Sequence, residues 1–257
     1  MAGYLFYISV KRLFVADLEA IAFENAYRII SLESTLHLFW EADIQGWLLD
    51  HHRWVVILFN FIYTFAFFPV LIPAAIVLFI FRYRTYVFYR NVFLVSYTFT
   101  WLIYLTFPAA PPRLVTQYGF VDTIERMGPA FYNTKEAMAL YNQFSAMPSM
   151  HFGWSLLFAI IFLRSRHLPL KLFGIVYPGL SLGAILITAN HYVLDAIVGG
   201  AIIVASYGIY LLLQRRALSP VAQLVPSLAR AGLRRAYPPL RPIRYHSPNL
   251  PDQGGPP

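Results

Sequence analysis

Four side chains stand out from a chain that otherwise reads as apolar: His151, His191, Asp195 and Arg113. His191 and Asp195 are four residues apart, a spacing that on a helix puts both on one face about 6 Å apart along the axis. A carboxylate there holds one imidazole nitrogen as a donor and leaves the other free to attack or to take a proton. His151 closes the run Pro148-Ser149-Met150-His151, in which Ser149 reads as a helix N-cap. The amides and positive end of such a helix suit a phosphate, and a histidine in its first turn can protonate a leaving oxygen. Arg113, after Pro111-Pro112, offers a guanidinium that can clamp phosphoryl oxygens through two bonds. Taken singly, each has a plainer reading: an interfacial histidine, a snorkelling arginine, a helix start. Together, acid, nucleophile, orienting carboxylate and anion clamp are what phosphoryl transfer through a covalent histidine requires.

The elements that must position these groups are apolar. The 257 residues are 58% hydrophobic and 12% charged, more apolar surface than one soluble core hides, so the expected class is an integral membrane protein. Five spans are expected, at 54–81, 91–107, 150–163, 172–189 and 191–213. The first is longer than a bilayer needs, and Pro69 and Pro73 offer a kink within it. From 14 to 40 apolar residues recur at helical spacing but are interrupted by Asp17, Glu19, Glu24, Arg28 and Glu33. That pattern reads as an amphipathic interfacial helix, with a weak sixth span as the alternative. A removable signal peptide is not expected, because no basic start, apolar run and small-residue cleavage site occur in order. The fold expected is therefore all-α: an antiparallel bundle of five to six transmembrane helices with an N-terminal amphipathic helix. Three regions follow: 1–53 N-terminal and interfacial, 54–213 the transmembrane core, and 214–257 a basic, proline-rich tail.

The formal charge of +8 does not point to nucleic acid, because Arg and Lys fall between apolar stretches and in the tail. Arg82, Arg84 and Arg90, then Arg164, Arg166 and Lys171, then Arg215 and Arg216 with five further tail arginines share one side of a five-span arrangement. The positive-inside rule makes that side cytoplasmic. The connection 108–149 and the turn at Asn190 then lie on the extracytoplasmic side, where the chemistry-bearing residues converge. Residues 221–233 have the pattern of a short basic helix suited to anionic lipid headgroups. Gly199-Gly200, Gly179 and Gly183 read as close-packing positions between helices. His37, His51 and His52 near Glu41 and Asp43 lack the spacing of a metal site, so no metal and no cofactor are expected. Cysteine is absent and says nothing of redox compartment.

Three stretches, 107–113, 147–154 and 190–200, resemble the motifs of the type 2 phosphatidic acid phosphatase superfamily. Within it they resemble the branch of inositol phosphorylceramide synthases and sphingomyelin-synthase-like phosphotransferases. The resemblance covers about 91–213. It implies a bundle of about six helices with no metal in the chemistry, His191 as the nucleophile that forms a phosphohistidine, Asp195 as its orienting partner and His151 as the acid. Departures are as informative. The phosphatase form has Ser-Arg where this chain has Ala184-Ile185, Lys where it has Thr106, Pro where it has Leu114 and Gly where it has Met150. The phosphate clamp is thereby reduced to Arg113 and Ser149, with Arg126 and Lys135 as helpers from the same connection.

The expectation is a membrane lipid phosphotransferase, with inositol- or other polyol-phosphate headgroup transfer as its most concrete form. Its partners would be a phospholipid or other lipid phosphate and an alcohol acceptor. A lipid phosphate or polyprenyl diphosphate phosphatase, with water as acceptor, is the first alternative. A non-enzymatic carrier or lipid-binding scaffold is the second.

Overall fold

The computed structural model of the protein describes residues 18–129 and 143–224, with side chains as far as 214. Lys135 and most of the expected tail helix at 221–233 lie outside the described residues.

Helix α1 (Leu18–Thr35) buries Ala22, Asn25, Ala26, Ile29, Ile30 and Glu33, a stripe at helical spacing that packs on protein. Its opposite face leaves Ile21 and Leu32 exposed. Helix α2 (Glu41–His51) follows, then α3 (Arg53–Phe65) and α4 (Phe67–Phe81). These last two are one apolar run of 29 residues broken at Ala66. Pro69 accounts for the break, since it lacks an N–H and its ring crowds the Phe65 carbonyl four residues earlier. The kink expected from the prolines is therefore present, one turn before Pro69.

Helix α5 (Tyr83–Thr106) begins eight residues before the expected second span and takes Arg84 and Arg90 into its first turns. Short 3-10 turns and α6 (Thr123–Met127) carry the chain across the end of the bundle. Helix α7 (Met150–Leu163) coincides with the expected third span. Helix α8 (Leu168–Ile187) starts four residues before the expected 172, with Pro169 in its first turn. Helix α9 (Val193–Leu224) starts two residues after the expected 191 and runs on past 213.

Among the described residues, Arg53–Phe81, Leu168–Ile187 and Val193–Gln214 are long and apolar enough to cross a membrane, and α7 is a shorter apolar helix. Helix α7 is central, packing on α8 and α9, while α5 packs on α9 and α3 on α8. Glycine makes the α7–α9 approach possible: a Cβ on Gly199 would lie 2.2 Å from the Ser149 carbonyl oxygen, and one on Gly153 would lie 2.8 Å from that of Gly199. At the far end of α7, Arg164 donates to the hydroxyls of Tyr89 on α5 (2.6 Å) and Tyr207 on α9 (2.8 Å).

Candidate active site

Where α8 ends, the chain makes a turn that no helix could hold. Ala189 has φ +53°, a left-handed conformation costly for a residue with a side chain, and it is fully buried. The turn is fastened by the Ile185 carbonyl, which accepts the amides of both Asn190 and His191 (3.1 Å each), and by the Arg113 amide, which donates to the Ala189 carbonyl (2.8 Å). His191 thus sits in the turn before α9, not on it. The helix starts late because Asp195, in its first turn, reaches back so that Oδ2 accepts the Tyr192 amide (2.9 Å), a capping arrangement.

His191 and Asp195 nevertheless meet: Nδ1 and Oδ2 are 3.4 Å apart. A shorter bond joins Nδ1 to the Ala146 carbonyl at 2.6 Å. A carbonyl oxygen only accepts, so Nδ1 carries the proton and Nε2 keeps its lone pair. Ala146 is held there by its own amide, which donates to the Ala109 carbonyl (3.2 Å), while the Ala109 amide donates to Phe144 (3.0 Å). The segments around Pro111-Pro112 and Pro148 are thus paired beside the histidine.

His151, in the first turn of α7, has its ring centroid 6.2 Å from that of His191 with the planes tilted by 53°. The two rings are therefore neighbours. Tyr63, from the last turn of α3, stacks on His151 at 4.6 Å, and Phe67, just past the break, meets it edge-on at 5.8 Å. A narrow gap between α3, α4, α7 and α8 opens onto His151, with Tyr63, Phe67, Ser181 and Ile185 in its walls.

The residues expected to bind the anion are placed unevenly. Arg113 donates through Nε to the Asn190 side-chain oxygen (3.1 Å) and through Nη1 to Asp122 (2.7 Å), so its guanidinium borders His191's neighbour but already pairs with a carboxylate. Ser149 occupies the N-cap of α7, as expected, yet makes no side-chain cap; its hydroxyl is buried without a partner among the described residues. Its backbone is used instead, its amide donating to the Asp195 carbonyl at 2.9 Å. Arg126 is exposed on α6. Among the described residues no three His, Asp or Glu side chains converge as a metal site.

Two residues that the sequence reading passed over reach the same turn. Glu33 Oε1 accepts the Leu194 amide (2.7 Å) and Glu41 Oε1 accepts the Val193 amide (2.9 Å). A signal for Glu33 was present: Ala22, Ala26, Ile29 and Glu33 step at helical intervals, so the carboxylate continues the apolar stripe.

The family model of the PAP2 superfamily matches residues 27–209, most of the chain and all three motif stretches. The chain belongs to the PAP2 superfamily. Comparison with curated proteins and with solved structures gives no match. As a PAP2 superfamily protein it is a multi-pass membrane protein of a class of metal-independent phosphatases and phosphotransferases acting on lipid phosphates. The matched region starts at residue 27, so it takes in both Glu33 and Glu41.

Proposed function

We propose that this PAP2 superfamily protein is a lipid phosphotransferase whose donor is a phosphodiester and whose acceptor is an alcohol, with transfer of an inositol- or other polyol-phosphate headgroup as its most concrete form. His191 Nε2 attacks phosphorus as the bond to the departing alkoxide breaks, and His151 gives that oxygen its proton. The acceptor hydroxyl then attacks the phosphohistidine, His151 takes the hydroxyl proton, and the N–P bond breaks to return His191. Two in-line displacements give retention at phosphorus. Asp195 and the Ala146 carbonyl hold the His191 ring, and Arg113 with Ser149, helped by Arg126 and Lys135, supports the phosphoryl oxygens. The reaction would face the extracytoplasmic side, and the basic tail would rest on anionic headgroups.

The observation that carries the choice of donor is the charge around the two rings. Ile185, fully buried beside His151, stands where the phosphatase form places an arginine, and Arg113 already neutralises Asp122. Glu33, Glu41 and Asp195 add carboxyl groups at the turn. A phosphomonoester brings two charges into a site of low dielectric with few cations to meet them, whereas a phosphodiester brings one.

The test uses full-length protein in detergent with phosphorus-labelled phosphatidylinositol or phosphatidic acid, with and without an added long-chain lipid alcohol, quenched in alkali to preserve phosphohistidine. Label that depends on His191, favours the diester and moves to the added alcohol is expected. Faster release of inorganic phosphate from the monoester would assign a water-using phosphatase. Lipid binding that survives His191→Ala with no turnover in the native protein would assign a carrier.

A further inference from the structure

The N-terminal pair of helices places four polar side chains in the interior, and each bonds to backbone of the loops that build the site. Asn25 donates to the Pro108 carbonyl at 2.8 Å. Gln45 donates to the carbonyls of Val121 and Ile187 (3.0 Å each) and accepts the Val121 amide (2.9 Å). Glu33 and Glu41 take the amides of Leu194 and Val193. With Asp195 on the Tyr192 amide, three consecutive amides after His191 are each bonded to a carboxylate, and the three carboxylates come from three different helices.

We propose that Glu33 and Glu41 are positioning residues for His191, fixing from α1 and α2 the first turn of the helix that the nucleophile precedes. This rests on the phosphotransfer reading for its kinetic consequence, but not for its structural one.

Both carboxyls are almost fully out of solvent, at 0% and 1% exposure, a setting in which two adjacent negative charges are costly. Glu33 Oε2 has no hydrogen-bond partner among the described residues, so nothing there offsets a negative charge on it. Burial first, then the neighbouring Glu41 charge, push the Glu33 carboxyl up to about 9. Asp195 adds to that push, and Tyr192 lies in the field of all three carboxyls. A Glu33 carboxyl held protonated through the neutral range leaves less negative charge buried at the start of α9. Both Oε1 atoms are aimed at amides.

A plain structural cap would lower stability and leave the chemistry of the surviving folded molecules intact. Positioning predicts otherwise. In full-length protein shown to be folded by gel filtration and thermal melting, Glu33→Ala and Glu41→Ala should lower kcat by about 10- to 100-fold with KM within about threefold. Glu33→Gln keeps an acceptor for the Leu194 amide and, like the protonated acid, carries no charge, so it should retain activity at pH 7 and extend the alkaline limb of the pH profile. Hydrogen exchange supplies a readout independent of turnover: amides 192–195 should exchange at least about tenfold faster in the alanine variants and at the native rate in Glu33→Gln. Native kcat in the folded alanine variants, or unchanged exchange, overturns the proposal. If the native protein turns over no phosphodiester, the phosphotransfer reading has failed, and exchange alone decides the positioning claim.

Discussion

With Nδ1 of His191 donating to the Ala146 carbonyl, removing the charge of Asp195 leaves the tautomer in place. Asp195→Asn should therefore slow phosphohistidine formation on the order of tenfold, less than where a carboxylate alone orients the ring. Rapid-quench single-turnover rates check this; an unchanged rate would remove Asp195 from the chemistry, and a loss beyond about a thousandfold would make its charge the main source of the imidazole's reactivity. Glu33 sets a second expectation. Its carboxyl titrates near the ordinary 4.5 when unfolded and near 9 in the fold. The stability it contributes is complete below the lower value and drains away as pH rises to the higher one. Glu33→Gln cannot ionise, so its thermal midpoint should gain on that of the native protein steadily from about pH 5 to pH 9. Parallel curves over that window would contradict the raised titration.

Helices α7 and α9 meet where the Ser149 carbonyl lies against Gly199, backbone on backbone, with no flexible side chain to yield. Gly199→Ala should force them apart, lower stability by about 1–3 kcal/mol, and disturb both histidines because each sits at the start of this pairing. Detergent melting curves and turnover check it together; a stable, fully active variant would show that the approach is not needed. The limits of α7 were legible because an apolar run lies between Pro148-Ser149 and Arg164, chemically abrupt boundaries. The start of α9 was not, because the backward reach of Asp195 to the Tyr192 amide decides it, and periodicity carries no trace of such a bond. Tyr63 and Phe67 were hidden for a related reason. In a run apolar on every side, only the break at Ala66 shows which rings turn toward His151.

At the scale of the whole molecule, motif order along the chain was enough to bring His151, His191 and Arg113 to one end of the bundle, whereas the N-terminal helices were read as peripheral. Glu33 continues an apolar stripe and Glu41 follows it in a polar stretch, but neither shows its role until its partner is known, and those partners are about 150 to 160 positions away. The expected orientation can be tested directly because the chain has no cysteine. Thr116→Cys should react with an impermeant maleimide added outside intact cells, and Leu168→Cys only after the cells are opened; the reverse pattern would invert the topology. The long reach of the N-terminal carboxyls also bears on biogenesis. Helix α1 holds an acidic group whose partner is translated about 160 residues later, so it must wait at the membrane, still hydrated, until the start of α9 has been made. Its docking then follows the synthesis of α9, and a chain stalled short of residue 193 leaves that clasp open.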